Sequence, residues 1–353
     1  MKNLRNVIGA VVIGRNEGVR LRRCLTSLRA AVDHVVYVDS GSTDESLTIA
    51  ADCGVAIVSL DTSITFSAGR ARNVGFDRLM SLQPDLKFVQ FVDGDCELQT
   101  DWIEAAFNHL SQSPDIAIVC GRRRERYPKN SLFNQLMDFE WDTPIGECSA
   151  SGGDFLIRAI CFRSVGGFNT QVIAGEEPEL GFRIRQQGGK IVRIDQEMTW
   201  HDADLTRVSS WWRRELRGGY AGLDVQFRTG RDSRPYFAKM VRSAWFWTVG
   251  WLLVLVAMTT AGGILLSMPG VAIASLLWML ATGIQVTRIA SRYRRPQISI
   301  RDSARMAILT ILSKWPQILG QMAFLRDHGL GRHPQLIEYK SIPPGTNACG
   351  SQN

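Results

Sequence analysis

Strand-like and helix-like segments alternate along the first hundred residues, and each strand-like segment ends in polar residues. Residues 7–14 (VIGAVVIG) precede Leu21, Leu25 and Leu28 at helical spacing, and the pattern recurs through HVVYVDS and VAIVSL to FVQFVDGD. Alternation of this kind predicts a parallel sheet with helices on its faces. Ligands of such sheets bind beyond the carboxyl ends of the strands, so we expect these polar residues to share one crevice.

Two carboxylates, Asp93 and Asp95, stand where the buried strand in VQFVDGDCEL should end. Asp and Gly favour turns, which by itself accounts for a D-G-D sequence. Carboxylate oxygens also suit Mg²⁺ or Mn²⁺, and Mg²⁺ commonly bridges carboxylates and the phosphates of a substrate. The net charge of +7 favours anionic partners but does not choose among phosphates, nucleic acid and membrane. We therefore predict a divalent-ion site that serves a phosphorylated ligand.

Residues 244–286 contain no charged side chain. This length accommodates two spans of roughly 20 residues, and a turn is expected at Ser267, Met268, Pro269 and Gly270. A buried helical hairpin in a soluble core is the alternative, but basic residues flank both ends, which by the positive-inside rule keeps both flanks cytoplasmic. These residues are Arg228, Arg231, Arg234, Lys239 and Arg242 before the stretch, and Arg288, Arg292, Arg294, Arg295 and Arg301 after it.

A third apolar segment, residues 306–325, is interrupted by Lys314 and Pro316, which favours an interfacial helix over a span. The last residues, 341–353, are rich in Pro, Gly, Asn and Ser and are expected to be mobile. The seven cysteines are scattered and never spaced as C-x-x-C, which favours reduced thiols over disulfides or a zinc site.

Six motifs occur in one order along residues 7–220, namely VVIGRNEG, VDSGSTDES, FSAGRARNVGFD, VDGD, SGGDFLIR and GEEPELGFRIR. In order and spacing they resemble the family 2 glycosyltransferases, inverting enzymes with a GT-A fold. The resemblance implies an α/β, Rossmann-like and mostly parallel catalytic domain. It also implies transfer of a sugar from a nucleotide diphosphate sugar, with Mg²⁺ or Mn²⁺ as cofactor, and no nucleic acid partner.

The resemblance also assigns roles to individual residues. Asp93 and Asp95 correspond to the D-x-D pair that holds the metal, with Asp93 also near the ribose. The residues expected to bind the nucleotide sugar are Arg15, Asn16, Glu17, Asp39, Arg72, Asn73, Asp93 and Gly153.

The general base of the family is the second acid of a G-E-D element, where this chain has Gly175, Glu176 and Glu177. The sequence departs from the family pattern because a glutamate replaces the usual aspartate. We predict Glu177 as the base, and Glu176 stays open as the alternative.

His201 lies where many GT-A enzymes supply a third metal ligand, although a lone histidine is more often structural. Arg213 and Arg217 share a helix face in WWRRELRGGY. They are expected either to clamp the diphosphate or to meet anionic lipid headgroups, and the sequence does not separate these functions.

Other classes of protein fit the sequence less well. A dinucleotide-dependent oxidoreductase requires G-x-G-x-x-G after the first strand, and GRNEG lacks it. A nucleotidyltransferase requires a Gly-rich, Lys-bearing first loop, which is also missing. A membrane-attached subunit that binds nucleotide sugar without turnover is the remaining alternative, and retention of Asp93 and Asp95 argues against it.

The expected organisation is a glycosyltransferase domain (1–225), a basic linker (226–243), a transmembrane hairpin (244–289) and an interfacial tail (290–353). We expect a multi-pass protein of the inner membrane whose catalytic domain faces the cytoplasm. The expected acceptor is lipid-linked, as in polysaccharide synthesis. The donor sugar, the acceptor and the oligomeric state do not follow from the sequence.

Overall fold

The computed structural model describes residues 2–230 and 236–332. Arg231, Arg234, Cys349 and the tail 341–353, on which sequence-based expectations fell, lie outside the described residues. The strands are β1 (Ile8–Gly14), β2 (His34–Asp39), β3 (Ala56–Ser59), β4 (Phe88–Asp93), β5 (Cys96–Leu98), β6 (Ile116–Glu125), β7 (Gly146–Glu147), β8 (Phe155–Arg158) and β9 (Lys190–His201).

The helices begin with the short α1 (Lys2–Arg5) and end with α13 (Lys314–Gly329), which packs against the sheet-containing domain. They are α1, α2 (Val19–Ala31), α3 (Ser46–Asp52), α4 (Ala68–Leu82), α5 (Trp102–Gln112), α6 (Leu132–Glu140), α7 (Ala159–Ser164), α8 (Glu176–Gln186), α9 (Val208–Thr229), α10 (Tyr236–Trp245), α11 (Trp251–Arg292), α12 (Ile300–Leu312) and α13 (Lys314–Gly329). A π-helical turn joins α10 to α11.

One sheet organises the domain, in the order β3-β2-β1-β4-β8-β6-β9-β5, with β7 beside β9. The strands β3, β2, β1 and β4 are mutually parallel, as the alternating pattern predicts. Beyond β4 the sheet is mixed, because β8 is antiparallel to both β4 and β6 and β5 is antiparallel to β9. The predicted α/β class is confirmed, with this mixed half in place of a mostly parallel sheet.

The parallel strands read as continuous apolar runs because helices cover both faces of the sheet. Gly75 lets α4 lie close against it, since a Cβ there would stand 2.4 Å from Val11 Cγ1. Strand β9 is longer than GKIVRID suggests, so Trp200 and His201 lie inside the strand rather than after it. Six cysteines in the described part of the chain are free thiols.

The long apolar helix α11 changes direction at Ser267, whose φ of 55° is not helical. The indole nitrogen of Trp251 donates to Thr282 Oγ1 at 3.0 Å, and that of Trp278 donates to the Trp251 carbonyl at 3.0 Å. In a straight helix, two residues separated by 27 or 31 positions would lie about 40 Å or more from each other. The two halves of α11 therefore lie side by side.

The segment predicted as one interfacial helix is two helices, α12 and α13, which meet at Ser313. One face packs on the domain, where α13 crosses α9 at Gly219 and Gly320. A Cβ on either glycine would lie 2.0 Å from a carbonyl oxygen of the other helix, so only glycine permits this approach. The opposite face exposes apolar side chains at helical spacing, namely Ile308, Leu312, Trp315, Leu319, Met322 and Leu325.

Candidate active site

The loops that follow β1 and β2 are joined by side-chain hydrogen bonds. Asn16, which has a positive φ of 56°, accepts from the Thr43 amide at 2.7 Å, and its own amide donates to Ser42 Oγ. The carboxylate of Asp39 accepts from the Gly41 and Ser42 amides, each at 2.9 Å. The structure thus brings together residues that the sequence places in one crevice.

Glu17 and Arg15 complete this side of the site. Glu17 is buried and pairs with Arg20 at 3.0 Å, while Arg15 is exposed. A Cβ on Gly94, between the two acids of D-G-D, would lie 3.2 Å from Glu17 Cγ, so the first and fourth strand ends also meet.

The side chain of Arg72 connects Asp93 at the end of β4 with the acids that begin α8. Its Nη2 donates to Asp93 Oδ1 at 2.8 Å, its Nη1 donates to Glu176 Oε1 at 2.9 Å, and the same nitrogen lies 3.2 Å from Glu177 Oε1. Burial opposes the charge of this guanidinium, but the three acids outweigh burial and raise the pKa of Arg72. Arg72 therefore stays positively charged between Asp93, which is predicted to bind the donor and metal, and the pair Glu176 and Glu177, which is predicted to contain the general base.

Gly153 lies directly beside this ion pair. A Cβ at Gly153 would stand 2.5 Å from Asp93 Oδ2 and 3.1 Å from Arg72 Nη2. The glycine is thus required for the backbone to approach the carboxylate of Asp93.

The two acids at the start of α8 differ in environment. Glu176 is 4% exposed and accepts the Arg72 hydrogen bond, whereas the Glu177 side chain is 15% exposed. Burial, followed by the charge of Glu176, raises the pKa of Glu177 to about 7. A carboxylate with that pKa is suited to accept a proton near neutral pH.

Asp95 and His201 meet across the β5–β9 pair, in which Cys96 lies opposite His201. The distance from Asp95 Oδ2 to His201 Nε2 is 3.2 Å, and both side chains are buried. Burial alone would lower the pKa of His201, but the charge of Asp95 and the hydrogen bonds to Asp95 and Glu125 together raise it.

Asp95, Cys96 and His201 place one potential ligand atom each within 4.8 Å of one another. Adjacent ligands of an octahedral ion, each about 2.1 Å from it, are about 3 Å apart, which matches the Asp95–His201 distance. Burial raises the pKa of the Cys96 thiol well above its usual value, so its sulfur stays protonated and is a poor ligand. The donor set thus fits a hard ion that accepts oxygen and imidazole nitrogen.

Three charged residues at this site were missed by the sequence analysis. Arg123 Nη2 lies 3.2 Å from Asp93 Oδ2 and its guanidinium stacks on Trp141. Asp154, fully buried, accepts from the Asp93 amide at 3.0 Å. Glu125 contacts His201. Asp154 stands within SGGD and could have been found from that motif, whereas Arg123 and Glu125 lie in a run of charges, RRRER, that reads as solvated surface.

Two expected ligand contacts have protein partners in the structure. Asn73 donates to the Phe168 carbonyl at 2.8 Å and accepts from the Phe168 amide at 2.8 Å. Arg217 on α9 donates to the Ile173 carbonyl at 3.3 Å, close to the start of α8. Arg213, on the same helix, is exposed.

The fold matches that of a solved glycosyltransferase. The mannosyltransferase PcManGT from Pyrobaculum calidifontis, solved in complex with GDP-Man and Mn²⁺, aligns with 91% of this chain and 87% of its own length at a TM-score of 0.60 and 17% identity. This likeness shows that the domain has a fold of the GT-A type.

The sequence comparisons match part of this chain to one family model and to known glycosyltransferases. Residues 10–162 match the model of glycosyl transferase family 2. A pre-mycofactocin glycosyltransferase of Mycobacterium tuberculosis is 25% identical over 244 residues, which are 65% of this chain and 49% of that protein. The O-antigen chain rhamnosyltransferase RfbN of Salmonella typhimurium is 23% identical over 225 residues, 55% of this chain and 69% of that protein. The chain thus spans about half the length of the first of these relatives.

Proposed function

We propose that this protein is an inverting glycosyltransferase that transfers a sugar from a nucleoside diphosphate sugar to an acceptor hydroxyl or phosphate. The observation that carries the proposal is the Arg72 bridge, which joins Asp93 at a strand end to Glu176 and Glu177 at a helix start. Asp93 is suited to hold a divalent ion that binds the diphosphate of the donor. Glu176 and Glu177 are suited to proton transfer from the acceptor.

The proposed donor site lies at the ends of β1, β2 and β4. Asn16 and Asp39 shape the loops around it through their backbone hydrogen bonds. Asp93, Asp95 and His201 are proposed to hold Mg²⁺ or Mn²⁺. Such an ion would offset the charge that develops on the leaving nucleoside diphosphate.

The proposed general base is Glu177, which deprotonates the acceptor on the side opposite the leaving group. Its pKa of about 7 and partial exposure suit this role. Glu176 is more deeply buried and hydrogen bonded to Arg72, so its proposed role is to position that guanidinium. A subunit that binds sugar nucleotide without turnover is less well supported, because it has no use for an acid with this pKa beside Asp93.

The membrane part of the proposal rests on α10 and α11. In the described part of the chain, one helical segment, Ala238–Arg292, has the length and apolar composition to cross a membrane. Its side chains are uncovered, with Ile264, Leu265 and Met268 each more than three-quarters exposed near the Ser267 turn. Exposed apolar surface of this extent is costly in water. We therefore propose that both halves of α11 insert, with residues 1–225 and the basic flanks on the cytoplasmic side.

We propose a lipid-linked acceptor on the basis of this arrangement. An acceptor confined to the bilayer would present its headgroup beside the basic flanks and α9, where Arg213 is exposed. The apolar outer face of α12 and α13 is proposed to rest on the same membrane surface.

The test combines a donor screen with two variants. Purified full-length protein is incubated with Mn²⁺, a panel of nucleotide sugars and a membrane extract, and products are read by mass spectrometry. One donor should yield a glycosylated lipid in the wild type and in the control Glu147→Gln, an exposed acid, but not in Glu177→Gln. Turnover that persists in Glu177→Gln and ends in Glu176→Gln would move the base by one residue. Absence of turnover with every donor would favour the non-catalytic subunit.

Cysteine labelling tests the topology. A cysteine placed at Ser267 should react with an impermeant reagent from outside the inner membrane, and one placed at Arg295 should be shielded. Labelling of both positions from outside would refute the proposed orientation.

A further inference from the structure

Glu125 at the end of β6 is fully buried, and the groups that contact its carboxylate are nitrogen atoms. Its Oε1 accepts from the Tyr127 amide at 3.1 Å and from Asn134 Nδ2 at 3.3 Å. Its Oε2 accepts from the Ala203 amide at 3.2 Å and lies 3.3 Å from His201 Nδ1. A carboxylate surrounded by donors can only accept, so Nδ1 of His201 carries a hydrogen.

This hydrogen bond determines what the other side of the ring can do. With the hydrogen on Nδ1, the neutral imidazole presents a lone pair at Nε2, and that lone pair faces Asp95 Oδ2 at 3.2 Å. Two acceptors at this distance repel each other unless a proton or a metal cation lies between them. The arrangement therefore supplies two adjacent ligands with the spacing an octahedral ion requires.

The ring is also fixed against rotation. Trp141 packs edge-on against His201 with ring centroids 4.4 Å apart. Asn134, which donates to Glu125, is itself held because it accepts from the Leu205 amide at 3.0 Å and donates to the Tyr127 carbonyl at 3.1 Å. The carboxylate thus belongs to a buried network that fixes the backbone on both sides of His201.

We propose that Glu125 is a positioning residue that fixes the tautomer and orientation of His201, so that Nε2 is presented with Asp95 to a divalent ion. This inference rests on the metal use in the proposed function. Outer carboxylates of this kind orient histidine ligands and influence metal affinity by about 10- to 100-fold.

The test is Glu125→Gln in the full-length protein, measured with Mn²⁺ alone. The amide NH₂ of glutamine must face donors, either the Tyr127 amide and Asn134 Nδ2 or the Ala203 amide and His201 Nδ1. Either orientation therefore disrupts the hydrogen-bond network that fixes the His201 ring. We expect the Mn²⁺ affinity from electron paramagnetic resonance titration to fall by about 10- to 100-fold. The ¹⁴N modulation from the His201 imidazole should also disappear. The matched control is Glu197→Gln on β9, where the acid pairs with Arg124 away from the ring, and it should bind like the wild type.

The outcomes separate the inference from the proposed function. Wild-type protein that binds no Mn²⁺ would refute the metal use itself. Wild-type binding with ¹⁴N modulation that is unchanged in Glu125→Gln would refute the positioning role and leave the proposed function standing. If Glu125→Gln does not fold, wild-type protein with ¹⁵N-labelled histidine and Mg²⁺ decides. With Mg²⁺ bound, a hydrogen on Nδ1 and no hydrogen on Nε2 of His201 would support the inference. A hydrogen on Nε2 under the same conditions would overturn it.

Discussion

Replacement of Glu177 by glutamine is expected to stabilise the protein at pH 8 while it abolishes sugar transfer. Burial and the charge of Glu176 raise the pKa of Glu177 from its ordinary 4.5 to about 7. The folded protein therefore binds this proton more tightly than the unfolded chain does. The stability contributed by the protonated form is complete below pH 4.5 and is lost as the pH rises to 7.

The magnitude follows from the size of this elevation. Each pKa unit corresponds to about 1.4 kcal/mol, so an elevation from 4.5 to about 7 costs at most about 3 kcal/mol at pH 8. The side chain is 15% exposed, and screening by water reduces the expected gain of Glu177→Gln to about 2–3 kcal/mol. For a domain of this size the melting temperature should rise by roughly 4–10 °C.

The assay monitors thermal unfolding of wild type and Glu177→Gln by circular dichroism at pH 4.5 and pH 8. Both proteins are measured in the same detergent. The two proteins should melt together at pH 4.5 and separate at pH 8. Transfer should fall by about 10²-fold or more, while donor affinity changes little. The control Glu176→Gln removes a charge partner of buried Arg72 and should melt lower at both pH values. A Glu177→Gln variant that melts below the wild type at pH 8 and keeps its transfer rate would refute the reasoning.

Three further predictions concern the metal, the glycine beside Asp93 and the helix crossing. Asp95→Asn should abolish turnover with an unchanged circular dichroism spectrum, and a chelator should silence the wild type; full activity in chelator would count against the metal. Gly153→Ala should weaken nucleoside diphosphate binding by about 10-fold or more, since its Cβ must displace the Asp93 carboxylate from 2.5 Å; calorimetry with Gly218→Ala, whose Cβ meets open space, is the comparison. Gly320→Ala should lower the melting temperature because its Cβ would lie 2.0 Å from the Leu216 carbonyl oxygen, whereas Gly329→Ala should not; equal melting of the two would mean that the α9–α13 crossing adds little stability.

Much of the parallel half of the fold was predictable because its signals are local. Buried parallel strands are continuous apolar runs, and helices repeat every 3.6 residues, so β1, β2, β3 and β4 and the helices between them lie where the pattern predicts. The positions of Asp93 and Asp95 at a strand end follow from the same reasoning. The position of β8, antiparallel between β4 and β6, could not be predicted in this way, because strands that pair over a long distance in the chain leave no periodic signal.

The sequence by itself determined the residue types available at the site and their places at strand and helix ends. Tertiary structure decided which charges face one another. Arg72 meets Glu176 across 104 residues, and Glu125 meets His201 across 76 residues. Both contacts exist because the ends of β4, β6 and β9 and the start of α8 converge in the fold. RRRER reads locally as a solvated run of charges. In the fold, Arg123 and Glu125 are buried or nearly so, because the acids around Arg123 and the donors around Glu125 compensate the cost of removing them from water.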